Sequence, residues 1–337
     1  MSRKVILWVL AGLLAAGTVV ALVGLRWYRD GLRPPDPSGE PKIVHIREGS
    51  SVDAIATLLR AETLILDDRA FKLMLKIEKL GDKLQAGVFE ISPAMSGEEV
   101  ARHIASGEIV VRRLTIPEGL TLEQISQRVA DAYLVEDAAA FEQAAVAATV
   151  SSEVSMPLPD GDLEGYLFPD TYDFCCDLRP EPIITRMVKE LEARFYQPNR
   201  EEIERRGLSL HEIITLASLV EREAKFPDER PLIAGVIQNR LDRGMKLQID
   251  ATVQYALPEH KERLLFRDLE IESPYNTYRH AGLPPGPIAA PGLSSLMAAL
   301  RPAQTDALFY VARADGTHIF SGSYQEHLRA IERIRGG

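Results

Sequence analysis

The chain has 337 residues, 46% of them hydrophobic and 26% charged, with a formal net charge of −10 and a pI near 5.3. Its length predicts two or more folded units rather than one core. The acidic balance excludes the basic stripe a nucleic-acid binder carries and leaves neutral partners such as glycans open.

Residues 5–25, VILWVLAGLLAAGTVVALVGL, are uncharged and mostly apolar. About 20 such residues in a helix cover the hydrocarbon core of a bilayer. The run is longer than the apolar region of a signal peptide, and no cysteine stands here to accept a lipid. It predicts an uncleaved transmembrane anchor within residues 1–28, Trp8 near one end and Trp27 and Tyr28 at the interface. Arg3 and Lys4 precede the span while Arg26, Arg29 and Arg33 follow it. Charge therefore discriminates orientation weakly, and the reading favours the N-terminus inside and the remainder outside. Residues 29–42, RDGLRPPDPSGEPK, hold four prolines and two glycines and predict an extended spacer.

A repeat follows. VHIREGSSVDAIATLL (44–59) aligns with LTIPEGLTLEQISQRV (114–129), and a weaker copy, FEISPAMSGEEVARHI, lies at 89–104. Each copy predicts a short strand, a bend, and a helix opened by a capping hydroxyl with an acid close behind: Ser51 and Asp53, Ser96 with Glu98 and Glu99, Thr121 and Glu123. Ile55, Leu58 and Leu59 form the buried stripe of the first helix, Ile125 and Val129 that of the third. Residues 43–148 thus read as one binding or spacing module without an acid, base or metal constellation. Residues 149–337 predict a mixed α+β domain. It has a helix-rich middle (180–245), a loop-dense stretch at 248–292, a short helix at 293–300, paired strands in ALFYVARADGTHIF and a final helix. A loop as long as 248–292 is functional rather than idle, and its aromatics and prolines argue against disorder.

Cys175 and Cys176 are adjacent, too close for a relaxed disulfide and too few for a structural zinc site. The seven histidines show no ligand spacing, so no metal is expected and His318 reads as a strand-borne structural residue.

LSLHEIITLASLVEREA (208–224) reads as a helix, Ser209 capping it and Glu212 completing a capping box. A rotation of about 100° per residue puts Leu210, Ile213, Ile214, Leu216, Ala217 and Val220 on one broad face. Glu221 falls inside that apolar arc. Arg222 turns to solvent, and Glu223 lies far enough round the helix that the two glutamates cannot serve one substrate bond. A carboxyl against an apolar wall suits the protonation of a leaving group. A structural partnership with an arginine or a backbone amide is the competing reading of the same placement.

LEGYLFPDTY (163–172), LASLVERE (216–223), GVIQNRL (235–241), LQIDATVQY (247–255), SPYNTY (273–278) and GLPPGPI (282–288) follow one another in order. Together they resemble the endolytic murein transglycosylases, the MltG or YceG-like family. That resemblance implies a membrane anchor, a LysM-like module and a periplasmic or extracellular catalytic domain on the inner membrane. It also implies a lyase without cofactor that cuts the MurNAc-β-1,4-GlcNAc bond of nascent peptidoglycan. The muramic 6-hydroxyl attacks its own anomeric carbon, leaving a 1,6-anhydro end and limiting strand length. The family's catalytic glutamate falls on Glu221, acting first as acid and then as base. A nucleophile supplied by the substrate makes one carboxyl sufficient, where an ordinary glycosidase uses two. Glu164, Gln248, Asp250, Thr252, Tyr255, Asn276 and Tyr278 are candidate substrate-binding residues, each also readable as a turn former or core residue. Relatives commonly read Asn-Pro-Gly where this chain has Ala290-Pro291-Gly292. Penicillin-binding proteins are the partners the family implies. Two alternatives stand beside this reading: a water-using muramidase with Asp250 as second carboxylate, and a non-catalytic anchored glycan-binding scaffold.

Overall fold

The computed structural model describes residues 3–47, 49–108, 111–175, 179–259 and 261–336. They fall into two compact units, one built on residues 3–112 and the other on residues 113–174 and 179–336. Mixed α+β is the observed class, with three small two-stranded sheets set among helices.

The first unit runs α1 (Arg3–Gly31), β1 (Lys42–Ile46), α2 (Val52–Ala61), α3 (Asp68–Glu78), β2 (Gly87–Ile91) and α4 (Gly97–Ser106). β1 and β2 pair antiparallel, Val44 opposite Phe89. The helices start where hydroxyl caps place them: Ser51 accepts from the Ala54 amide, and Ser96 and Glu99 form a reciprocal box. Ile55 and Leu59 of α2 are buried with Phe71, Met74, Phe89 and Ile104, and Leu58 packs at the margin of this core.

The segment 29–42 is not a free spacer. α1 continues through Gly31, and Tyr28 and Leu32 pack against the core of the first unit. The Gly97 amide donates to the Leu32 carbonyl (2.9 Å), and the Asp36 amide to the Pro93 carbonyl (3.1 Å). Leu32 inside the stretch and Tyr28 just before it tie it down despite its composition. Within α1 the side chains described are Trp8 and those from Gly12 onward, and the large apolar ones among them are exposed. Among the described residues, no helix is long and apolar enough to cross a membrane.

The second unit takes in β3 (Val111–Thr115), within which the division falls, then α5 (Leu122–Asp131), α6 (Ala138–Ala144), α7 (Ala147–Val150) and β4 (Thr171–Cys175). α8 (Pro180–Leu191) passes through a π turn, Glu192–Tyr196, into α9 (Gln197–Arg206), where Pro198 lacks the amide that would bond back along the helix. α10 (Leu210–Glu223), α11 (Arg230–Asp242), α12 (Asp250–Ala256), α13 (Leu293–Leu300), β5 (Phe309–Ala312), β6 (His318–Ser321) and α14 (Tyr324–Gly336) complete it. β3 pairs with β4, and β5 with β6 antiparallel, Phe309 opposite Ser321.

Leu114, Ile125, Val129 and Phe141 share one core with Tyr166, Met187, Phe195, Ile213 and Leu296. Residues 113–148, grouped with the module at 43–112 on repeat similarity, therefore pack as part of the second unit. Similar local elements have gone to different cores, which a repeat in sequence cannot reveal. The stretch 248–292 contains α12 and a 3₁₀ turn, Phe266–Glu270. α12 is seven residues with Thr and Val inside it, too short for a periodic signal. Cys176 and the Cys175 side chain lie outside the described residues.

At the head of α10 Ser209 accepts from the Glu212 amide, and the Glu212 carboxylate accepts from the Ser209 amide (2.9 Å) and hydroxyl (2.8 Å). Ser209→Ala removes this box and is expected to cost about 1 kcal/mol. In thermal unfolding of the full chain, the transition carrying the second unit should fall by roughly 2–4 °C.

Candidate active site

α10 is buried along most of its length, and its last turn delivers Glu221 to a place where three segments meet. Its side chain is only 6% exposed. One carboxylate oxygen accepts from Arg230 Nη2 (2.9 Å); the other accepts from the Gly292 amide (3.0 Å) and the Ser295 hydroxyl (2.7 Å). Gly292 is the N-cap of α13 and Ser295 lies in its first turn, so the carboxylate sits on the amide end of that helix. The apolar wall expected from periodicity is absent at the carboxyl itself. The helix face is apolar, but the side chain extends past it to three donors.

A second carboxyl stands beside the first. Arg230 Nη2 also donates to Glu118 Oε2 (3.3 Å), so one guanidinium nitrogen holds both glutamates. Glu118 lies in the loop between β3 and α5, with a side chain 46% exposed. Burial, and then the Glu221 charge, push its carboxyl above the ordinary range, against the pull of Arg230. Two glycines make this meeting possible. Gly119 takes φ +79°, a conformation that favours glycine, and the loop turns there. At Gly292 a Cβ would stand 1.8 Å from Glu118 Oε1, so the carboxyl occupies the space of the missing side chain.

The loop is clipped in place by backbone bonds. The Gly119 amide donates to the Ala290 carbonyl (2.8 Å), and the Ala290 amide to the Leu120 carbonyl (2.7 Å). Ala290 is fully buried with its methyl in the core. Position 290 thus serves the scaffold of the site. Arg222 is exposed as its helix position predicts, yet its Nη1 returns to the Gly119 carbonyl (2.9 Å). Glu223 faces elsewhere, as expected, but is not solvated: it accepts from the Tyr310 hydroxyl (3.0 Å), and burial holds its carboxyl above the usual range.

The seven candidate binding residues separate into groups. Glu164 and Tyr255 line a cavity of about 370 Å³ together with Thr121, Asp162, Arg222 and Ile288. A second hollow of about 480 Å³, bounded by Asp160, His211, Tyr275 and Gly286, shares Asp162 and Glu164 with it. The two hollows meet at Asp162 and Glu164, and Arg222, the neighbour of Glu221, lines the first. Glu164 is 6% exposed and accepts from the Leu122 amide (3.1 and 3.0 Å), the Gly165 amide (3.2 Å) and the Tyr255 hydroxyl (3.3 Å). Burial nevertheless pushes its carboxyl up to about 7, with Asp162 adding to the rise. Tyr255 and Tyr275 lean on each other with ring centres 4.9 Å apart.

Asp250 and Tyr278 belong to another cluster, the Tyr278 hydroxyl donating to Asp250 (2.5 Å) near Glu223. Thr252 and Asn276 are buried fasteners. Thr252 pairs with Thr277 (2.9 Å), and the Asn276 side chain donates to the Leu269 and Ile271 carbonyls, both at 2.9 Å. Gln248 is exposed at φ +51°, its amide donating to the Thr277 carbonyl (3.2 Å). His318 lies on β6 and bonds Glu229 at 2.8 Å. Glu118, Arg230, Gly292 and Ser295 were not singled out from sequence. Glu118 sits in PEG of the third repeat copy, where the first copy has REG, so nothing local marks it.

The YceG-like family model matches residues 44–333. This chain belongs to the YceG-like family. It is 37% identical over 303 residues to a Bacillus subtilis protein named endolytic murein transglycosylase, covering 86% of this chain and 84% of that one. A Streptococcus pneumoniae protein of the same name is 32% identical over 354 residues, which span 96% of this chain and 63% of that longer relative. The crystal structure of a yceG-like protein from Listeria monocytogenes superposes with a TM-score of 0.61 at 36% identity, over 87% of this chain and all of that one.

Two predictions follow from this arrangement of side chains. Arg230→Met leaves two adjacent carboxyls without their common cation and is expected to cost about 3 kcal/mol. Denaturant unfolding at pH 7 measures it. Glu164 binds its proton more tightly folded than unfolded. The stability it contributes is full below about 4.5 and is lost as pH rises through about 7. Glu164→Gln should therefore flatten the decline in unfolding free energy between those pH values.

Proposed function

We propose that the chain is an endolytic murein transglycosylase: it cuts the MurNAc-β-1,4-GlcNAc bond within nascent glycan strands and leaves 1,6-anhydro ends. Glu221 is the acid that protonates the leaving oxygen. It then takes the proton of the muramic 6-hydroxyl as that oxygen bonds to the anomeric carbon. The observation that carries the reading is the carboxylate of Glu221, fixed by Arg230, Gly292 and Ser295 beside a groove, in a member of this family. Fixed donors hold the acid in one orientation, which an intramolecular displacement rewards, since the attacking oxygen arrives already attached to the substrate. Glu164, Tyr255, Asp162 and Tyr275 form the wall against which the strand lies.

The muramidase alternative needs a second carboxyl across the bond, at about 5–5.5 Å for a nucleophile or about 6.5–9.5 Å for a water-activating base. Asp250 is engaged with Tyr278 instead. Glu118 shares Arg230 Nη2 with Glu221, which places both carboxyls on one side of the site rather than across a sugar bond. We further propose that α1 anchors the chain in the inner membrane through residues 5–25 with the catalytic unit outside. The apolar side chains it exposes support this. The β1–α2–α3–β2 module is proposed as the LysM-like glycan-binding element, and glycan-polymerising penicillin-binding proteins as the partners.

Mass spectrometry of glycan strands digested by wild type and Glu221→Gln provides the test. Anhydro ends from wild type, falling roughly 10²–10⁴-fold in the variant, are expected. Reducing ends would establish hydrolysis instead, and unchanged release by the variant would remove Glu221 from the reaction.

A further inference from the structure

A single acid that works in both directions must carry a proton when it meets the substrate. Yet Glu221 faces the guanidinium of Arg230, a helix amide and a hydroxyl, all of them donors. Among the described residues, the acidic group that shares its cation is Glu118. Its carboxyl shares Arg230 Nη2 with Glu221, fills the space over Gly292 whose amide also holds Glu221, and is close enough to hydrogen-bond the Glu221 carboxyl directly. One guanidinium faces two carboxyls, so one negative charge is left without a cation, and burial with the Glu221 charge favours a proton on Glu118.

We propose that Glu118 is a positioning residue for the reaction: it shares a proton with Glu221 beneath the Arg230 guanidinium, so that Glu221 reaches the glycosidic oxygen with a proton to give. The inference rests on Glu221 being the acid. The proton balance is simple. The Glu221 O–H bond breaks as the leaving oxygen is protonated and its bond to the anomeric carbon opens. The 6-hydroxyl loses its proton to Glu221 as its oxygen closes on that carbon. The pair ends with the proton count it began with. Burial and the Glu221 charge raise the affinity of Glu118 for a proton, in the direction this role requires. The charged groups that face Glu118 are Glu221 at the end of α10 and Arg230 at the start of α11. Arg222 is bound to the carbonyl of the adjoining Gly119. The arrangement explains why a chain with a half-exposed glutamate at 118 has no side chain at 292.

The test is the pH dependence of kcat for the full-length chain in detergent on isolated glycan strands, with anhydro ends counted. Glu118→Gln keeps the shape and removes the titrating group. The alkaline limb of its profile should move to lower pH by about one unit, with KM unchanged. A wild-type profile in this variant, or a raised KM with an unmoved limb, overturns the proposal. Should Glu118→Gln lose its cooperative thermal transition, Gly292→Ala decides. Its new Cβ must displace the Glu118 carboxyl while the backbone, at φ −74°, accepts alanine. A lowered limb there supports the pair, and an unmoved one overturns it. Activity retained by Glu221→Gln would instead strike the reading underneath, a result distinguishable from any of these.

Discussion

One guanidinium organises this molecule. Arg230 is nearly buried, and a buried cation is tolerated only when paired. Its partners come from two distant parts of the chain, residues 118 and 221, and the third wall of the site, Gly292 and Ser295, comes from still further on. Pairing that one charge brings the β3–α5 loop to the end of α10, and Glu221 in turn accepts from the start of α13. The backbone exchange between Gly119, Leu120 and Ala290 holds the convergence without spending side chains on it. The second unit thus brings Glu118 and Glu221 to one nitrogen and the start of α13 to the far oxygen of Glu221.

The same economy appears in the long irregular stretch after α11. It is ordered less by apolar burial than by polar fasteners: Asn276 spans two carbonyls of the preceding turn, and Thr252 and Thr277 clasp each other in a dry place. Such fasteners satisfy backbone groups that a loop would otherwise leave unpaired. They free Tyr255 and Tyr275 to present their rings along the groove.

Much of the architecture was legible in the sequence because it is local. Caps at Ser51, Ser96, Thr121 and Ser209 mark helix starts through bonds made within three residues, and apolar spacing marks the stripes of α2, α5 and α10. Glu221 was legible too, since helical phase alone turns it inward. What periodicity cannot convey is the end of a flexible side chain. The backbone of Glu221 lies in an apolar arc, whereas its carboxyl lies among donors from the next helix, Arg230, and from more than seventy residues on, Gly292 and Ser295. Glu118 was hidden for the same reason: its partners are over a hundred residues distant, and its local pattern matches a repeat copy that belongs to the other unit. Asn276 and Thr252, read as polar groups available to a ligand, are consumed internally. A polar residue in a loop carries no sign of which way it will be used.

The continuity of α1 with the first unit has a mechanical meaning. At about 1.5 Å per residue, 29 residues make a rod roughly 44 Å long. Its lower end is not hinged, because Tyr28, Leu32 and the Trp27–Asp67 bond weld it to the β1–β2 unit. Rod and head therefore turn together. A tilt or rotation of the rod is carried over to the head, which makes the helix a lever.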